Sequence, residues 1–198
     1  MVTDFTRIFK ALPRQFYETD TITVARSLLG MEVVHNSAQG STSGIITETE
    51  TYTGLNDPAS HSYKINSKRV SVQYRQSGLA YIFLIYGIYF CFNITTGKAG
   101  SPEAVLIRAI RPISGIELMK VRRKTDNIAR LANGPGKLSQ AMGINMSHYG
   151  IDLTGSELFV AIPQNTLSFE IEACKRVNIE YAGYAKDFPY RFLLREKA

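Results

Sequence analysis

Apolar and polar residues alternate along part of the first third of the chain with the two-residue period of a strand. Residues 31–35 and 44–52 follow this pattern. The residues between them, 36–43, are polar and include a glycine, which is typical of a hairpin connection. The pattern therefore predicts an antiparallel pair of strands in this region.

A second hairpin is predicted near the middle of the chain. Residues 79–85 form an apolar run typical of a buried strand, and residues 88–94 are predicted to return beside it. Tyr86-Gly87 lies where a tight turn would join them. A further strand is predicted at residues 104–110, ending at Pro112.

Helices are predicted in three short segments. Residues 21–29 follow the capping pair Thr19-Asp20 and precede a glycine that is typical of a helix end. Residues 113–123 end in basic side chains, as the helix dipole favours. A Gly-Pro-Gly sequence begins the third predicted helix, residues 134–142.

Short apolar runs separated by turns continue to the end of the chain, at residues 158–162, 169–173 and 191–194. Strands outnumber helices and are joined mainly by hairpins. The expected fold class is therefore α+β, with a mostly antiparallel, curved sheet and surrounding helices. We expect one domain over residues 1–198, in which residues 1–12 form a loose N-terminal arm.

Composition narrows the function classes. The 198 residues are 44% hydrophobic, which suits one globular core, and the net charge of +6 is compatible with DNA, RNA, an anionic membrane or an acidic substrate. The N-terminus has no basic segment followed by an apolar run, and no stretch of about 18 apolar residues occurs. The sequence therefore predicts a cytoplasmic protein with no membrane association.

Metal and nucleotide sites are not indicated by spacing. The three histidines (His35, His61, His148) are scattered, and Asp57 four residues before His61 is a weak ligand pair. Neither the P-loop pattern G-x-x-x-x-G-K-S/T nor the dinucleotide-binding pattern G-x-G-x-x-G occurs in the sequence. The sequence predicts no metal and no cofactor.

A pair of carboxylates beside an aromatic residue is the first candidate for chemistry. Side chains alternate along a strand, so Glu48, Glu50 and Tyr52 share one face, opposite Thr47, Thr49 and Thr51. On this segment alone, a solvent-exposed strand face is the favoured explanation of the glutamates. The polar residues 53–68 that follow predict a surface loop.

Tyr86 is the second candidate. Most of the aromatic residues in 81–92 suit the core of a sheet. A large ring at the tip of a hairpin is badly placed for the core and well placed to wedge into another molecule.

These segments together resemble the alkyladenine (3-methyladenine) DNA glycosylase family of the mammalian type. The motifs that carry the resemblance are residues 48–52 (ETETY) with Gly54 and His61-Ser62, residues 84–93 (LIYGIYFCFN), residues 105–109 (VLIRA) and residues 133–138 (NGPGKL). They occur in the family's order, and the resemblance covers about residues 12–194. It implies a single α+β domain that needs no metal or cofactor and acts as a monomer on double-stranded DNA containing a damaged purine.

The resemblance also implies roles for individual residues. Tyr86 intercalates into DNA, while Tyr52 and His61 form one wall of a base pocket and Phe83 the other. Phe83 stands where the family commonly has a tyrosine, so stacking is kept and a hydroxyl is lost. Glu50 is the general base that activates a water, with Glu48 as the alternative.

Further roles follow from the same motifs. Arg108 helps to hold the water and keeps Glu50 ionised. Asn93 crowds the exocyclic amino group of normal guanine and so rejects it. The direct hydrolysis implied has no lyase step, and the implied location is the bacterial nucleoid within the cytoplasm.

The chain departs from the family pattern between His61 and Gly78. The family usually has a threonine- and arginine-rich segment followed by an aromatic or methionine pair, whereas residues 64–75 here read KINSKRVSVQYR. Lys68 and Arg69 are candidate phosphate contacts, as is Lys137 at the start of a predicted helix. Substrate range and DNA affinity are therefore the properties that this departure affects.

Three functions are compatible with these observations. The first is a glycosylase that releases alkylated purines such as 3-methyladenine, with 7-methylguanine, hypoxanthine and ethenoadenine as further candidates. The second is a binder of distorted DNA without turnover, which would not need Glu50 beside the pocket. The third, a basic sheet protein that binds RNA, would not need His61 or Asn93.

Overall fold

The computed structural model describes residues 9–64, 67–165 and 168–197. These residues form one eight-stranded sheet in which every strand pairing is antiparallel. The α+β prediction with a mostly antiparallel sheet is confirmed. The strands are β1 (Glu32–Ser37), β2 (Gly40–Tyr52), β3 (Ala80–Ile85), β4 (Tyr89–Thr96), β5 (Glu103–Ser114), β6 (Leu158–Ala161), β7 (Phe169–Cys174) and β8 (Arg191–Glu196).

Helices are short and lie between the strands in sequence. The α-helices are α1 (Arg14–Tyr17), α2 (Thr21–Ser27), α3 (Ile116–Arg123) and α4 (Pro135–Met142). Single turns of 3-10 helix occur at Gly54–Asn56, Ser71–Tyr74, Ile128–Arg130 and Met146–His148, with a longer one at Glu180–Asp187. No helix within the described ranges is long and apolar enough to cross a membrane.

Strand β2 is the centre of the sheet. The strands follow the order β3-β4-β5-β2-β1-β6, and β8 with its partner β7 branches from β2. One edge of β2 pairs with β5, while the other pairs first with β1 and then, at residues 48–50, with β8. The second half of β2 therefore lies in the interior of the sheet, with a neighbour on each side.

The two faces of β2 have different surroundings, as its alternation predicts. Thr49 points to helix α2, where its hydroxyl donates to the Ala25 carbonyl at 2.9 Å. Asp20 caps this helix by accepting the Thr23 N–H at 3.0 Å, which agrees with the predicted start. Glu48, Glu50 and Tyr52 consequently face the other side of the sheet.

Two strand boundaries differ from the prediction. The predicted connection 36–43 is mostly strand, because pairing continues to Ser37 and Gly40 at the exposed tip of the hairpin, where polar residues are as suitable as apolar ones. Strand β5 continues through Pro112 to Ser114. Beyond Leu106 it pairs with β2 and no longer with β4, so the missing N–H of the proline removes no ladder bond on that side.

The prediction of a loose arm is wrong for residues 9–12. The Leu12 N–H donates to the Val160 carbonyl at 2.7 Å, Ala11 forms a bridge with Ala161, and Phe9 packs on Phe159. These contacts extend the sheet beyond β6. Residues 1–8 of the predicted arm, and residues 65 and 66 of the atypical segment, lie outside the described residues.

Both faces of the sheet are covered by apolar side chains. The larger cluster packs the helices against one face, through residues such as Val24, Ile46, Phe92 and Leu138. The smaller cluster packs Val70 and Val72 against the other face. The second face is the one that carries the candidate site.

Two histidines that are 113 residues apart in sequence meet in the core. His35 Nε2 and His148 Nε2 are 3.0 Å apart, and both rings are buried. His35 Nδ1 lies 2.7 Å from the Met142 carbonyl and must donate to it, while His148 Nδ1 accepts the Asn145 N–H at 3.1 Å. One neutral tautomer of each ring satisfies all of these bonds, with His148 Nε2 donating to His35 Nε2.

This pair predicts a loss of stability in mild acid. Burial lowers the pKa of His35, with further lowering by His148 and Arg122. The pKa of a histidine in an unfolded chain is about 6.5. Below this pH the unfolded chain binds a proton that the buried His35 ring does not bind. The free energy of unfolding therefore falls as the pH falls, by up to about 1.4 kcal/mol per pH unit for one histidine. Urea unfolding between pH 7.5 and 5 should show a shallower slope for His35→Gln than for the wild type. Equal slopes would contradict the assignment.

Candidate active site

The carboxylate of Glu50 lies inside the protein, with no exposed surface. The Tyr52 hydroxyl donates to Oε2 at 2.9 Å and Arg108 Nη1 to the same oxygen at 3.2 Å. The Val177 N–H donates to Oε1 at 2.8 Å. A solvent-exposed strand face is thereby excluded for Glu50, because the segment that carries Val177 covers its carboxylate on this face of the sheet.

Two opposing effects act on the pKa of Glu50. Burial raises the pKa and is the larger effect, whereas the Arg108 cation and the hydrogen bonds from Val177 and Tyr52 lower it. The result is a pKa above the usual range for glutamate. Arg108 thus favours the ionised form, as expected, but offsets only part of the burial.

Glu48 has a different environment from Glu50. Its Oε1 accepts from Arg108 Nε at 2.8 Å and from Arg191 Nη1 at 3.0 Å. Arg108 therefore bridges the two glutamates, with one guanidinium nitrogen on each. Glu48 fixes the orientation of Arg108 from the side away from Tyr52.

A fully buried ion pair lies behind the ring of Tyr52. Arg176 Nη1 and Nη2 bind the two carboxylate oxygens of Asp57 at 2.5 and 2.8 Å, and both side chains have no exposed surface. Nη1 also donates to the Thr51 carbonyl at 2.8 Å, and the guanidinium lies 4.9 Å from the centre of the Tyr52 ring. The pair thus ties the segment after β2 to the segment that carries Val177.

This ion pair corrects the prediction that residues 53–68 form a surface loop. Asp57, Ala59 and Ser62 are buried, because the loop turns inward around the Asp57 carboxylate. That carboxylate also accepts the backbone N–H groups of Thr53 and Ala59. The Asp57 carboxylate therefore has a structural role, and its partners are Arg176 and the backbone of its own loop, not His61.

A cavity of about 280 Å³ adjoins the groups that bind Glu50. Tyr52, Arg108 and Val177 all line it, whereas Glu50 lies just behind them. The volume is near the low end for small-molecule pockets, which suits a ligand of the size of one nucleobase. The cavity brings together six residues singled out in the sequence: Tyr52, His61, Phe83, Tyr86, Asn93 and Arg108.

His61 is held as a neutral ring at the cavity wall. Burial lowers its pKa to about 4, with a further contribution from the Arg69 cation. His61 Nδ1 lies 2.9 Å from the Tyr81 hydroxyl, and Arg69 Nη2 lies 3.4 Å from Nε2. Because a guanidinium can only donate, Nε2 is the unprotonated nitrogen and Nδ1 donates to Tyr81.

The predicted two-walled slot is not open in this structure. The His61 and Phe83 rings meet edge to face with their centroids 4.5 Å apart. A base stacked between two rings needs twice the base-stacking distance of about 3.4 Å, or roughly 7 Å. A base could therefore enter between these two rings only if they separate.

Asn93 has a fixed orientation in the cavity wall. It is buried, and its amide nitrogen donates to the Tyr81 and Cys91 carbonyls at 3.0 and 3.3 Å. With both N–H groups engaged by the backbone, its amide oxygen is the atom left for the cavity.

Tyr86 forms the turn between β3 and β4 at the edge of the cavity. Tyr86 and Gly87 have φ values of 53° and 71°, as in a type I′ hairpin turn. The Tyr86 side chain is 74% exposed, and Ile88 beside it is 67% exposed. A left-handed conformation costs a non-glycine residue about 1–2 kcal/mol. An exposed ring held at this cost suits contact with another molecule.

The three candidate phosphate contacts lie in different environments. Lys68 is exposed. The Arg69 guanidinium lies 5.1 Å from the centre of the Phe83 ring and against His61, so contact with a phosphate requires it to turn outward. Lys137, in the first turn of α4, donates to the Asn133 side chain at 2.9 Å.

Two contributors to the site were missed in the sequence. Tyr81 was assigned to the core, although it shares a strand face with Phe83, and this alternation could have indicated its contact with His61. Val177 contributes only its backbone N–H to Glu50. No side-chain pattern could have indicated that contact.

One group of potential metal ligands exists among the described residues, namely His35, His148 and Glu157. The two histidines are buried and Glu157 is exposed, and none of the three lines the cavity. The hydrogen bonds of the neutral histidine pair already account for the ring nitrogens.

Comparison with known proteins shows the family of this chain. A family model described as methylpurine-DNA glycosylase (MPG) matches residues 15–198. Relatives named "Putative 3-methyladenine DNA glycosylase" include a protein of Desulfitobacterium hafniense, 44% identical over 94% of this chain and 96% of its own. Others are from Clostridium acetobutylicum, 45% identical over 93% and 94%, and Methanoculleus marisnigri, 44% identical over 93% and 95%. The chain therefore belongs to the methylpurine-DNA glycosylase family and is a hydrolase of DNA repair.

Proposed function

We propose that this enzyme extrudes an alkylated or otherwise damaged purine from duplex DNA and hydrolyses its N-glycosyl bond with a water molecule activated by Glu50. One observation carries the proposal. The buried Glu50 carboxylate is held by three donors, and all three of them line a cavity of about 280 Å³. A proton acceptor with a raised pKa is thus placed next to a space for one base.

The reaction is a single displacement. The water oxygen forms a bond to the sugar carbon C1′, the C–N bond breaks, and the base leaves with the electron pair while Glu50 accepts the proton from water. Oε2 of Glu50 accepts from both Tyr52 and Arg108, whereas Oε1 accepts only from Val177, so Oε1 keeps a lone pair for the proton of the water. No amine attacks the sugar, so the abasic product is released without strand cleavage.

The surroundings suit a cationic, electron-poor base. A neutral His61 and the ring of Phe83 offer aromatic surface without repelling a positive charge. Arg69 occupies this surface in the present structure, and its movement to a phosphate would free the rings for the base. Asn93, fixed by the backbone, would crowd the 2-amino group of normal guanine.

The proposed substrate is a duplex containing one such purine, bound by a monomer in the cytoplasm. The names of the relatives include 3-methyladenine, which favours that base among the substrates. The net charge of +6 favours a polyanionic partner. The mammalian type of the family stays a prediction, since the relatives compared come from other lineages.

The test is a single-turnover incubation of the wild type with duplexes that each contain one damaged purine, followed by alkaline treatment. Strand cleavage after alkali, but not before it, is the expected result. Tight binding of the damaged duplex without base release would instead identify a non-catalytic binder of distorted DNA. Cleavage before alkali would contradict direct hydrolysis.

Tyr86→Asn should separate DNA capture from fold stability. Asparagine tolerates a positive φ better than tyrosine, and the lost ring is mostly exposed, so the free energy of unfolding should stay the same or rise. The wedge that fills the gap in the base stack is lost, so affinity for an ethenoadenine duplex should fall about tenfold or more. Ethenoadenine fluorescence, which reports unstacking, measures capture directly. Unchanged fluorescence on binding would contradict the wedge.

A further inference from the structure

Gln73 is a buried polar residue in the cavity wall that the proposed reaction does not use. It is 4% exposed and lines the cavity. Its amide oxygen is buried with no hydrogen-bond partner among the described residues. An unsatisfied buried acceptor is unfavourable for the fold, so its presence beside a binding cavity points to a ligand that completes the bond.

The backbone around Gln73 is firmly held. It belongs to the 3-10 helix Ser71–Tyr74, and the neighbouring Val70 and Val72 are packed in the smaller apolar cluster. The Tyr149 hydroxyl accepts the Val72 N–H at 3.0 Å and lies 3.1 Å from the Lys68 carbonyl. The backbone that carries Gln73 is therefore held in place beside the cavity.

We propose that Gln73 determines specificity by binding the six-position edge of the extruded base, and that it favours purines with a 6-amino group. Its amide oxygen accepts from that amino group, and its amide nitrogen donates to the adjacent ring nitrogen. This is the donor–acceptor pair with which a glutamine recognises adenine. 3-Methyladenine keeps the pair, because its added methyl group is on the opposite side of the ring.

Hypoxanthine has the opposite chemistry at this position. Its 6-oxo group and the adjacent N7 are both acceptors, so the Gln73 amide nitrogen can donate to one of them while the amide oxygen is left without a donor. Sites built around a hydrogen bond discriminate strongly against an analogue that leaves a buried group unpaired. Gln73 also lies in the segment where the chain departs from the family's aromatic or methionine pair.

The inference rests on the proposed glycosylase function, and the test separates the two. Wild type, Gln73→Met and Gln76→Met are each incubated with methylated DNA and with a hypoxanthine duplex, and released bases are quantified under single-turnover conditions. Gln76 is the matched control, since it is in the same segment and its side chain is exposed.

For Gln73→Met we expect release of 3-methyladenine to fall about tenfold relative to hypoxanthine, while Gln76→Met keeps the wild-type ratio. The thermal midpoint should stay the same or rise, because methionine removes an unsatisfied polar atom. An unchanged ratio, or an equal loss for both bases with a lower midpoint, would overturn the role of Gln73 and leave the proposed function standing. Release of neither base by the wild type would overturn the proposed function itself.

Discussion

Glu50→Gln should lower the single-turnover rate of base release by about 10²- to 10⁴-fold, the usual contribution of a general base. An amide cannot accept the proton of the attacking water at neutral pH. The fold should be kept, because glutamine retains an oxygen for the Val177 N–H and Arg108 keeps its bond to Glu48. Affinity for a damaged duplex, measured by fluorescence anisotropy, should be unchanged.

Glu48→Gln is the matched control for this variant. Both glutamates bind Arg108, but only Glu50 is also bound by Tyr52 and Val177 of the cavity wall. We expect the Glu48 variant to keep a much larger share of the rate. The opposite ranking would make Glu48 the base, and equal rates for Glu50→Gln and wild type would remove Glu50 from the reaction.

The same assignment predicts a pH profile. The base must be unprotonated, so the rate falls as pH falls through the pKa of Glu50, which burial places above the usual glutamate range. The acid limb of the single-turnover profile should therefore lie at a higher pH than an exposed glutamate would give. The residual rate of Glu50→Gln should lack this limb.

Asp57→Ala should lower the free energy of unfolding by about 3–5 kcal/mol. The substitution leaves the Arg176 guanidinium buried, charged and without its carboxylate partner. A loss of this size is a large part of the stability of a typical domain, so part of the protein would unfold at moderate urea concentrations. Urea titration followed by circular dichroism measures the difference.

An exposed ion pair gives the comparison. Arg195 binds Glu172 at 2.6 Å, but both side chains are about half exposed, so Glu172→Ala should cost at most about 1 kcal/mol. If Asp57→Ala and Glu172→Ala lower the free energy of unfolding by similar amounts, burial of the Arg176–Asp57 pair does not increase the cost of breaking it. Because that guanidinium also packs on Tyr52, the Asp57 variant should lose activity along with stability.

The strands were predictable because their signal is local. The period of β2 placed Glu48, Glu50 and Tyr52 on one face, and the Tyr86-Gly87 turn followed from its position between two apolar runs. The ends of β1 and β5 were not predictable in the same way. Pro112 is tolerated because β5 is not paired with β4 beyond Leu106, which depends on the sheet and not on the sequence near the proline.

The site residues were predictable only in part for a related reason. Family motifs in the sequence located the side chains of Tyr52, His61 and Asn93, and the structure brings them to one cavity. The unsatisfied amide of Gln73 and the Arg69 contact with the aromatic rings come from the segment that departs from those motifs. In that segment, which side chains are buried and which partners they contact depend on packing against residues that are distant in sequence.

The pairing of β8 with the second half of β2 makes assembly of the catalytic centre a late event in synthesis. A growing chain that has emerged as far as β5 carries Glu50 on a strand with one open edge and without the amide of Val177. Only β8, which is paired with β7, closes that edge, and the segment between these two strands brings the Val177 amide to the acid. Competence for base release therefore depends on the docking of β8, so a polypeptide released from the ribosome before residue 191 would not release a damaged base.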